Sequence, residues 1–429
     1  MTSKVAQNAA WIIGCKVVKA VLAFVVTMLT ARYLGPEKYG TINYAASLVT
    51  FAGSIMYLGL NSTLVYEFSS DQEHEGEILG TALVMCLLSS LLCILGIITF
   101  SFVANHGERE TILVCILYSL MLVFQAMELT QYWFQYKLIS KFVSLSMTAS
   151  YFVVAAVQIF LLLSKKSIYL FSVSYALDFF LIALFLIVLY KRKGGAPLHF
   201  SLERAEKLFL RSRYYILSSL MVVIFTNTDK VMLKLMLGSE PTGYYSAAVT
   251  CTNSLAFIFA AIMASYQPVI FESRKASVEK FEHYMTQLYS VIIYLSFIIS
   301  IGIFTFSPLI VKLMYGTSYA PSVPALRITI WYTTFSYIGS TRDIWMLANG
   351  KEQLIWKLNL LGALANIVLN LILIPVYGIQ GAAIASLCTQ VFTNVVLGFI
   401  IKDIKRNNEV LIKSLDIRIL LRLLMRTTS

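Results

Sequence analysis

The stretch LGPEKYG at residues 34–40 returns as LGSEPTG at residues 237–243, and each copy leads into a run rich in tyrosine and alanine. A Leu-Gly-Pro sequence is typical of a helix end, because glycine adopts the left-handed conformation after the last turn and proline cannot continue the helix. A simple turn would explain one copy. The second copy, 203 residues later, raises the question of whether the chain contains a duplicated half.

Composition places the chain in a membrane. Hydrophobic residues make up 58% of the sequence and charged residues 13%, whereas soluble domains carry about 25% charged residues. A helix needs about 20 consecutive apolar residues to cross a bilayer, and the apolar runs do not alternate as barrel strands would. We therefore predict an all-α polytopic membrane protein with about twelve transmembrane helices, at 8–31, 41–66, 78–104, 111–136, 142–163, 168–190, 211–237, 244–270, 284–311, 324–348, 353–375 and 378–401.

The positions of lysine and arginine predict the orientation of these helices. Short loops rich in these residues stay in the cytoplasm, which puts both termini inside. The first apolar run contains Lys16 and Lys19 and is too long for the core of a secretory signal, so it is expected to be a retained helix. The acidic loop at residues 67–77 is predicted inside without any lysine or arginine, and it argues against this orientation.

The 203-residue offset relates more than the two turns. It places each of the first six predicted helices on one of the last six, more loosely for the later pairs. Because six is an even number, the halves are parallel and related by an axis along the membrane normal, as in transporters whose bundles move about a central site. We predict an N-terminal six-helix bundle (1–190), a basic cytoplasmic linker (191–210), a C-terminal six-helix bundle (211–401) and a basic amphipathic tail (402–429).

Several classes of function are not indicated. The net charge of +12 lies mostly in the inner loops and the tail, where it suits anionic lipid headgroups and requires no nucleic acid. No phosphate-binding loop, nucleophile-elbow motif or metal-type spacing of cysteine and histidine occurs. We therefore expect no enzyme activity, no cofactor and no metal site.

Charged residues inside the predicted helices are the candidate site, because each costs about 2.5–3.5 kcal/mol at the bilayer centre. Lys19 lies near the centre of the first helix, and Lys16 lies on the same face about 12 Å deep. We expect Lys16, Lys19, Lys230 and Arg342 to bind an anionic substrate, with structural pairing as the alternative. Glu128, Asp178 and Asp229 are either cation-coupling residues or buried partners of the lysines, and both interpretations stay open.

Two further expectations follow from helix geometry. Lys234 lies within about one turn of the outer end of its helix and is expected to extend its ammonium group to water. Arg342 and Asp343 are neighbours that point about 100° apart on a helix, so they need not pair with each other. The same argument applies to Asp229 and Lys230.

The chain resembles the Wzx-type polysaccharide or O-antigen flippases of the MOP superfamily, which also contains MATE exporters and lipid II flippases. The resemblance covers nearly the whole chain. Its motifs are ARYLGPEKYGTINYAASLV (31–49), YLGLNSTLV (57–65), DKVMLKLMLGSEPTGYYSAA (229–248), LMYGTSYAPSVPALRI (313–328) and IPVYGIQGAAIASL (374–387).

The resemblance implies a V-shaped, MATE-like architecture in the bacterial inner membrane. It also implies transfer of an undecaprenyl-pyrophosphate-linked oligosaccharide from the inner to the outer leaflet by alternating access. Na⁺ or H⁺ is a candidate coupling ion, and a glycan polymerase and other polysaccharide assembly proteins are candidate partners. A MATE-like exporter of small organic cations is the alternative, and it would need a net anionic cavity.

Overall fold

The protein is almost entirely helical over the residues that the structure describes. The structure, a computed structural model, describes residues 2–420, with side chains from residue 18 onward, and contains no strand in that range. The α-helices are α1 (Thr2–Met56), α2 (Leu64–Ser70), α3 (Glu75–Ala104), α4 (Arg109–Ser119), α5 (Met121–Met127), α6 (Gln131–Tyr136), α7 (Lys141–Leu163), α8 (Ile168–Arg192), α9 (Leu202–Leu237), α10 (Ser239–Asn253), α11 (Ala256–Ala276), α12 (Val278–Met314), α13 (Ser322–Ala348), α14 (Gln353–Val391), α15 (Leu397–Ile400) and α16 (Lys405–Lys413).

The predicted membrane helices are all helical in the structure. Nine stretches in the described part of the chain are long and apolar enough to cross a membrane. Two of these nine stretches each consist of two helices joined at a kink. The kinks lie at Gly35 in α1 and at Gly378 in α14. The more polar α13 covers the remaining predicted span. The prediction of an all-α polytopic membrane protein is confirmed.

The glycine of each repeated stretch breaks the helix in the same way. Gly35 has φ 75° and ψ 171°, and its counterpart Gly238 has φ 97° and ψ −175°. Residues with a side chain rarely adopt such positive φ angles, whereas glycine does so without a steric penalty. The matching conformations are what a duplicated half predicts.

The two repeated stretches also pack against each other, reciprocally. A Cβ atom on Gly40 would lie 1.8 Å from the carbonyl oxygen of Ser239, and one on Gly243 would lie 1.9 Å from the carbonyl oxygen of Pro36. Pro36 and Ser239 occupy equivalent positions in the two stretches, as do Gly40 and Gly243. This arrangement, in which one patch contacts its own copy, is typical of a two-fold axis.

The chain forms two compact units, Met1–Gly243 and Tyr244–Ser429. In the first unit α9 packs along α1, although the sequence assigns residues 211–237 to the second bundle. The core of the first unit surrounds buried Tyr44, Phe68 and Trp133, and that of the second surrounds buried Tyr289 and Trp345. The assignment of the bundles to residues 1–190 and 211–401 stays a prediction.

The acidic loop that argued against the predicted orientation is paired with the basic segment that follows α8. Arg204 donates to Asp71 at 2.7 Å and to Glu77 at 3.3 Å, and Arg211 donates to Glu67 at 2.9 Å. A hydrogen bond to His74 lowers the pKa of Asp71 and correspondingly raises the pKa of His74. The acidic side chains of the loop therefore hold the start of α9 in place through these ion pairs.

The linker backbone fits against two glycines of α3. A Cβ atom on Gly76 would lie 2.1 Å from the carbonyl oxygen of Pro197, and one on Gly80 would lie 2.4 Å from that of His199. The Ser201 amide also donates to Thr81 Oγ1 at 3.1 Å. The linker is thus attached to the first unit along its length, and α9 begins at a fixed point.

We expect Arg204→Ala to release this linker. The Arg204 side chain is mostly buried, and charge-assisted hydrogen bonds contribute about 1.5–3 kcal/mol. Amide hydrogen exchange at residues 196–201 should become about tenfold faster or more. The matched control is Lys207→Ala, which removes an exposed i,i+4 pair with Glu203 and should leave exchange almost unchanged. Equal exchange in the two variants would refute the role of Arg204.

The predicted tail begins with a packed helix. In α16, Val410 and Leu411 are buried, and Asn407 accepts a hydrogen bond from Tyr289 of α12 at 2.9 Å. The start of the tail is therefore packed into the second unit, and the amphipathic tail at residues 402–429 stays a prediction. Residues 421–429 lie outside the described residues.

Candidate functional site

Lys19 and Asp178 form an ion pair inside the membrane region of the first unit. Lys19 Nζ lies 3.5 Å from Asp178 Oδ2 and 5.3 Å from the ring centroid of Tyr151. The three residues come from α1, α8 and α7, because the α7–α8 hairpin packs along α1. The Lys19 side chain is 32% exposed and that of Asp178 is 12% exposed. The Lys19 side chain is therefore partly exposed although its partner is almost enclosed.

The Asp178 carboxylate is incompletely paired in the described part of the chain. Its Oδ1 atom is buried and accepts no hydrogen bond from the atoms that the structure describes. A buried carboxylate oxygen without a donor costs about 1–3 kcal/mol or more. That cost disappears when a proton or a metal cation binds to the oxygen.

Glu128 is the second acid of this region. It opens the short 3₁₀ turn Glu128–Thr130, which interrupts the helix between α5 and α6 and packs against α8. Tyr57 donates a hydrogen bond to Glu128 Oε2 at 3.2 Å. Glu128 is also close enough to Lys19 and Asp178 to interact with both electrostatically. The structure thus brings together three of the predicted site residues, two acids and one base.

The predicted partner of Lys19 in a two-cation patch cannot be placed. Lys16 lies in the part of α1 whose side chains are outside the described residues. The prediction that Lys16 and Lys19 share one face stays a prediction.

The charged residues of α9 have different surroundings. Asp229 is buried, and Lys230 has no ion-pair partner among the side chains of residues 18–420. Lys234 contradicts the expectation that it reaches water, since its side chain is 2% exposed and pairs with Glu108 at 2.5 Å. The reason is that Glu108, at the amino terminus of α4, lies beside the end of α9. Its carboxylate pairs with the Lys234 ammonium group, which therefore stays buried.

Arg342 lies in the second unit, in a polar cluster of its own. It donates to the Thr393 carbonyl oxygen and to Asn394 Oδ1, both at 2.9 Å. It also pairs with Asp343 at 2.8 Å, a contact that the helical angle left open, because the long arginine side chain curls back to its neighbour. The π-helical turn Phe392–Val396 leaves a carbonyl oxygen that the guanidinium group satisfies.

A cavity of about 280 Å³ adjoins the charged cluster in the first unit. It lies between the second half of α1, α4–α5 and α9, and its lining includes Gly53, Tyr57, Tyr118, Gln125 and Ser219. Gln125 Oε1 is buried and accepts no hydrogen bond from the described atoms. Tyr57 lines this cavity and also contacts Glu128, so it connects the cavity to the charges.

Sequence reasoning did not identify Tyr57, Gln125 or Tyr151. Tyr57 directly follows α1, whereas Gln125 lies in α5 and Tyr151 in α7. Tyrosine and glutamine in such apolar stretches carry no spacing signal. Only the packing of helices that are distant in sequence brings Tyr57 to Glu128, 71 residues away. No pattern in the sequence could have identified that contact.

Comparisons with known proteins point to one family. Residues 5–274 match the family model described as polysaccharide biosynthesis protein. An uncharacterised membrane protein of Methanocaldococcus jannaschii is 24% identical over 236 residues, which are 51% of this chain and 46% of that protein. The chain thus spans about half the length of this curated relative.

The fold resembles those of solved transport proteins. One is the lipid II flippase MurJ in an inward closed conformation, with a TM-score of 0.75 and 15% identity over 96% of this chain and 92% of that one. Another is an inward-facing multidrug resistance MATE family transporter of the MOP superfamily, with a TM-score of 0.69 and 15% identity over 92% of this chain and 96% of that one. At such identities the likeness concerns the fold alone.

Proposed function

Since this chain belongs to the polysaccharide biosynthesis protein family, we propose that it is a flippase for an undecaprenyl-pyrophosphate-linked oligosaccharide. The cargo would be an O-antigen, capsule or exopolysaccharide repeat unit. It would pass from the cytoplasmic to the outer leaflet of the inner membrane by alternating access. The fold that the chain shares with a lipid flippase and a multidrug exporter supports transport.

The observation that carries this proposal is the partly exposed side chain of Lys19 in a predicted membrane helix. A pyrophosphate group brings at least two negative charges into a region of low dielectric, where attraction to a lysine is much stronger than in water. Lysine is also a common ligand of phosphate groups. Lys19 is therefore our first choice for the substrate contact, with Lys16 and Lys230 as further candidates. Arg342 is a weaker one, because its donors are occupied.

The pairing of Lys19 with Asp178 suggests how a cation could be coupled to the cargo. The substrate phosphate and the Asp178 carboxylate compete for the same ammonium group. A proton or Na⁺ ion bound at Asp178 or Glu128 would weaken that competition and leave Lys19 to the pyrophosphate. Binding of the cation and the anionic cargo would then be mutually favourable, as linkage requires. Asp229, which is buried in α9, is a third candidate for this role.

A MATE-like exporter of organic cations remains the second candidate function. The observation that favours it is the ratio of two acids, Asp178 and Glu128, to one lysine beside the cavity. With all three ionised the cluster carries a net negative charge, which attracts a cation. In this alternative, Lys19 would hold Asp178 in place and would not contact the cargo.

We propose the inner membrane of a bacterium as the location, with both termini in the cytoplasm. The paired acidic loop supports the orientation, because its charges are balanced by Arg204 and Arg211. A glycan polymerase and other polysaccharide assembly proteins are the proposed partners.

The test is transfer of an undecaprenyl-pyrophosphate oligosaccharide across proteoliposomes that contain the purified chain. We expect Lys19→Ala to slow transfer about 10- to 100-fold, the effect of losing one charge-assisted hydrogen bond. Lys19→Arg should retain most of the rate, because it keeps the charge. The matched control is Lys38→Ala, since Lys38 is exposed near the kink of the same helix.

Sodium and proton gradients imposed in turn identify the coupling ion. A Lys19→Ala rate equal to that of Lys38→Ala would exclude Lys19 as the substrate contact. Absence of lipid transfer, together with gradient-driven efflux of a lipophilic cation that Asp178→Asn abolishes, would favour the exporter.

A further inference from the structure

Two lysines converge on one aromatic ring at the predicted cytoplasmic end of the α7–α8 hairpin. Lys141 Nζ lies 5.2 Å from the ring centroid of Phe142, and Lys193 Nζ lies 4.4 Å from the same centroid. Lys141 is the first residue of α7, and Lys193 directly follows the last residue of α8. The two ammonium groups therefore come together because the hairpin brings the start of one helix to the end of the other.

Neither ammonium group has an acidic partner. Lys141 and Lys193 are exposed and form no ion pair with any side chain between residues 18 and 420, and the same holds for Lys191 and Arg192 in the last turn of α8. Lys137, one turn before α7, is different, because Glu75 pairs with it at 2.5 Å. In this region Lys137 is thus paired with an acid. The other four basic residues have no acidic partner among the described side chains: Lys141, Lys191, Arg192 and Lys193.

The separation of the Lys141 and Lys193 ammonium groups is limited by their shared contact with the Phe142 ring. The two Nζ atoms are at most 9.6 Å apart, the sum of their distances of 5.2 Å and 4.4 Å to the Phe142 centroid. A single phosphate that accepts a hydrogen bond from each of two ammonium groups holds them roughly 5–8 Å apart. Two like charges repel at such a distance, and a bound anion removes the repulsion.

An exposed leucine places the cluster at a lipid surface. Leu138 lies in the turn before α7 with φ 57°, and its side chain is 74% exposed. An apolar side chain that projects beside lysines at the end of a membrane helix contacts acyl chains while the lysines reach the headgroups.

We propose that Lys141 and Lys193 bind the phosphate of a lipid in the cytoplasmic leaflet, beside the Phe142 ring that both ammonium groups approach. The ligand is a phosphate ester on an acyl or polyprenyl chain. It is either the headgroup of an anionic phospholipid or the pyrophosphate of a polyprenyl-linked glycan before transfer. A general preference of lysine for the cytoplasmic side explains the sign of the charge but not the convergence of two ammonium groups on one ring. The binding site is separate from Lys19 and does not depend on the proposed transport.

The experiment measures lipid retention by the purified full chain in native mass spectrometry. The two probes are phosphatidylglycerol and undecaprenyl pyrophosphate, each offered in vesicles of phosphatidylethanolamine. Lys141→Ala/Lys193→Ala should bind one lipid about 30-fold more weakly, since each lysine near a membrane surface contributes about fivefold. Lys165→Ala/Lys166→Ala is the matched control, because it removes two exposed lysines from the other end of the same hairpin.

The pattern of loss identifies the source of the phosphate. Loss with phosphatidylglycerol indicates a phospholipid headgroup, and loss with undecaprenyl pyrophosphate alone indicates the cargo. The Lys141→Arg/Lys193→Arg variant keeps both positive charges and should retain the lipid. Retention by this variant shows that the alanine variant loses the lipid through loss of charge and not through misfolding. Equal retention of both probes by the two double alanine variants would overturn the proposal. Phosphatidylglycerol is not the proposed cargo, so its loss from the double alanine variant tests this site independently of the proposed function.

Discussion

Replacement of Gly40 or Gly243 by alanine is expected to destabilise the first unit strongly. A methyl group at either position would overlap a backbone carbonyl oxygen of the other repeated stretch, at 1.8 Å and 1.9 Å. Neither obstacle can move by rotating a side chain, so the helices must separate. Overpacking of a tight core typically costs about 1–3 kcal/mol, and a clash with backbone lies at or above the upper limit. We expect a loss of at least about 3 kcal/mol.

The measurement is the thermal midpoint of the detergent-solubilised protein, with folded yield after extraction as a second readout. A loss of this size lowers the midpoint by roughly 10 °C. The matched controls are Gly53→Ala and Gly96→Ala, because a methyl group would meet an atom only at 4.0 Å in the first case and none within 4 Å in the second. A normal midpoint for Gly40→Ala would mean that the two turns do not touch in the folded protein.

The Glu108→Gln substitution is expected to destabilise the protein more than substitution of its buried partner, Lys234. Lys234 has a side chain that is 2% exposed and is neutralised by Glu108. Loss of one member of a buried pair leaves an uncompensated charge and costs about 3–5 kcal/mol. Because the Glu108 side chain is 48% exposed and water reaches it, we place the effect near the lower end, at about 3 kcal/mol.

Lys234→Met should restore stability to the Glu108→Gln protein. Methionine fills a similar volume without a charge, and replacement of a buried pair by apolar residues is often neutral or stabilising. Thermal midpoints of the two single variants and the double variant form a double-mutant cycle that isolates the pair. Additive losses in this cycle would show that the two residues do not interact.

The helices could be predicted from sequence because the bilayer imposes a simple rule on them. Lipid leaves backbone groups no partner outside a helix, so long apolar runs such as 83–100 could not be anything else. The repeated LG stretch predicted the turn and the duplication. It could not predict that Gly40 and Gly243 would fit against each other, since that depends on the distance between helices.

The candidate site was predictable only as a set of residues. The cost of burying Lys19 and Asp178 identified both, but α1 and α8 are far apart in sequence, so nothing indicated that they would pair. The depth of Lys234 in its helix led to the wrong prediction that its ammonium group reaches water. The group pairs instead with Glu108, which comes from another part of the chain. The angle between neighbours could not decide whether Arg342 pairs with Asp343, because the length of the side chain outweighs the direction of the backbone.

The reciprocal contact between the two turns also bears on the history of the chain. A segment that packs against its own copy beside a two-fold axis is what a homodimer of the ancestral half would have had before gene fusion. The two turns kept a common backbone conformation at the place where they contact each other. Elsewhere the copies diverged, since the same offset places Val222 opposite Lys19. The lysine at this position is thus present in one copy only, whereas two identical subunits would carry it twice.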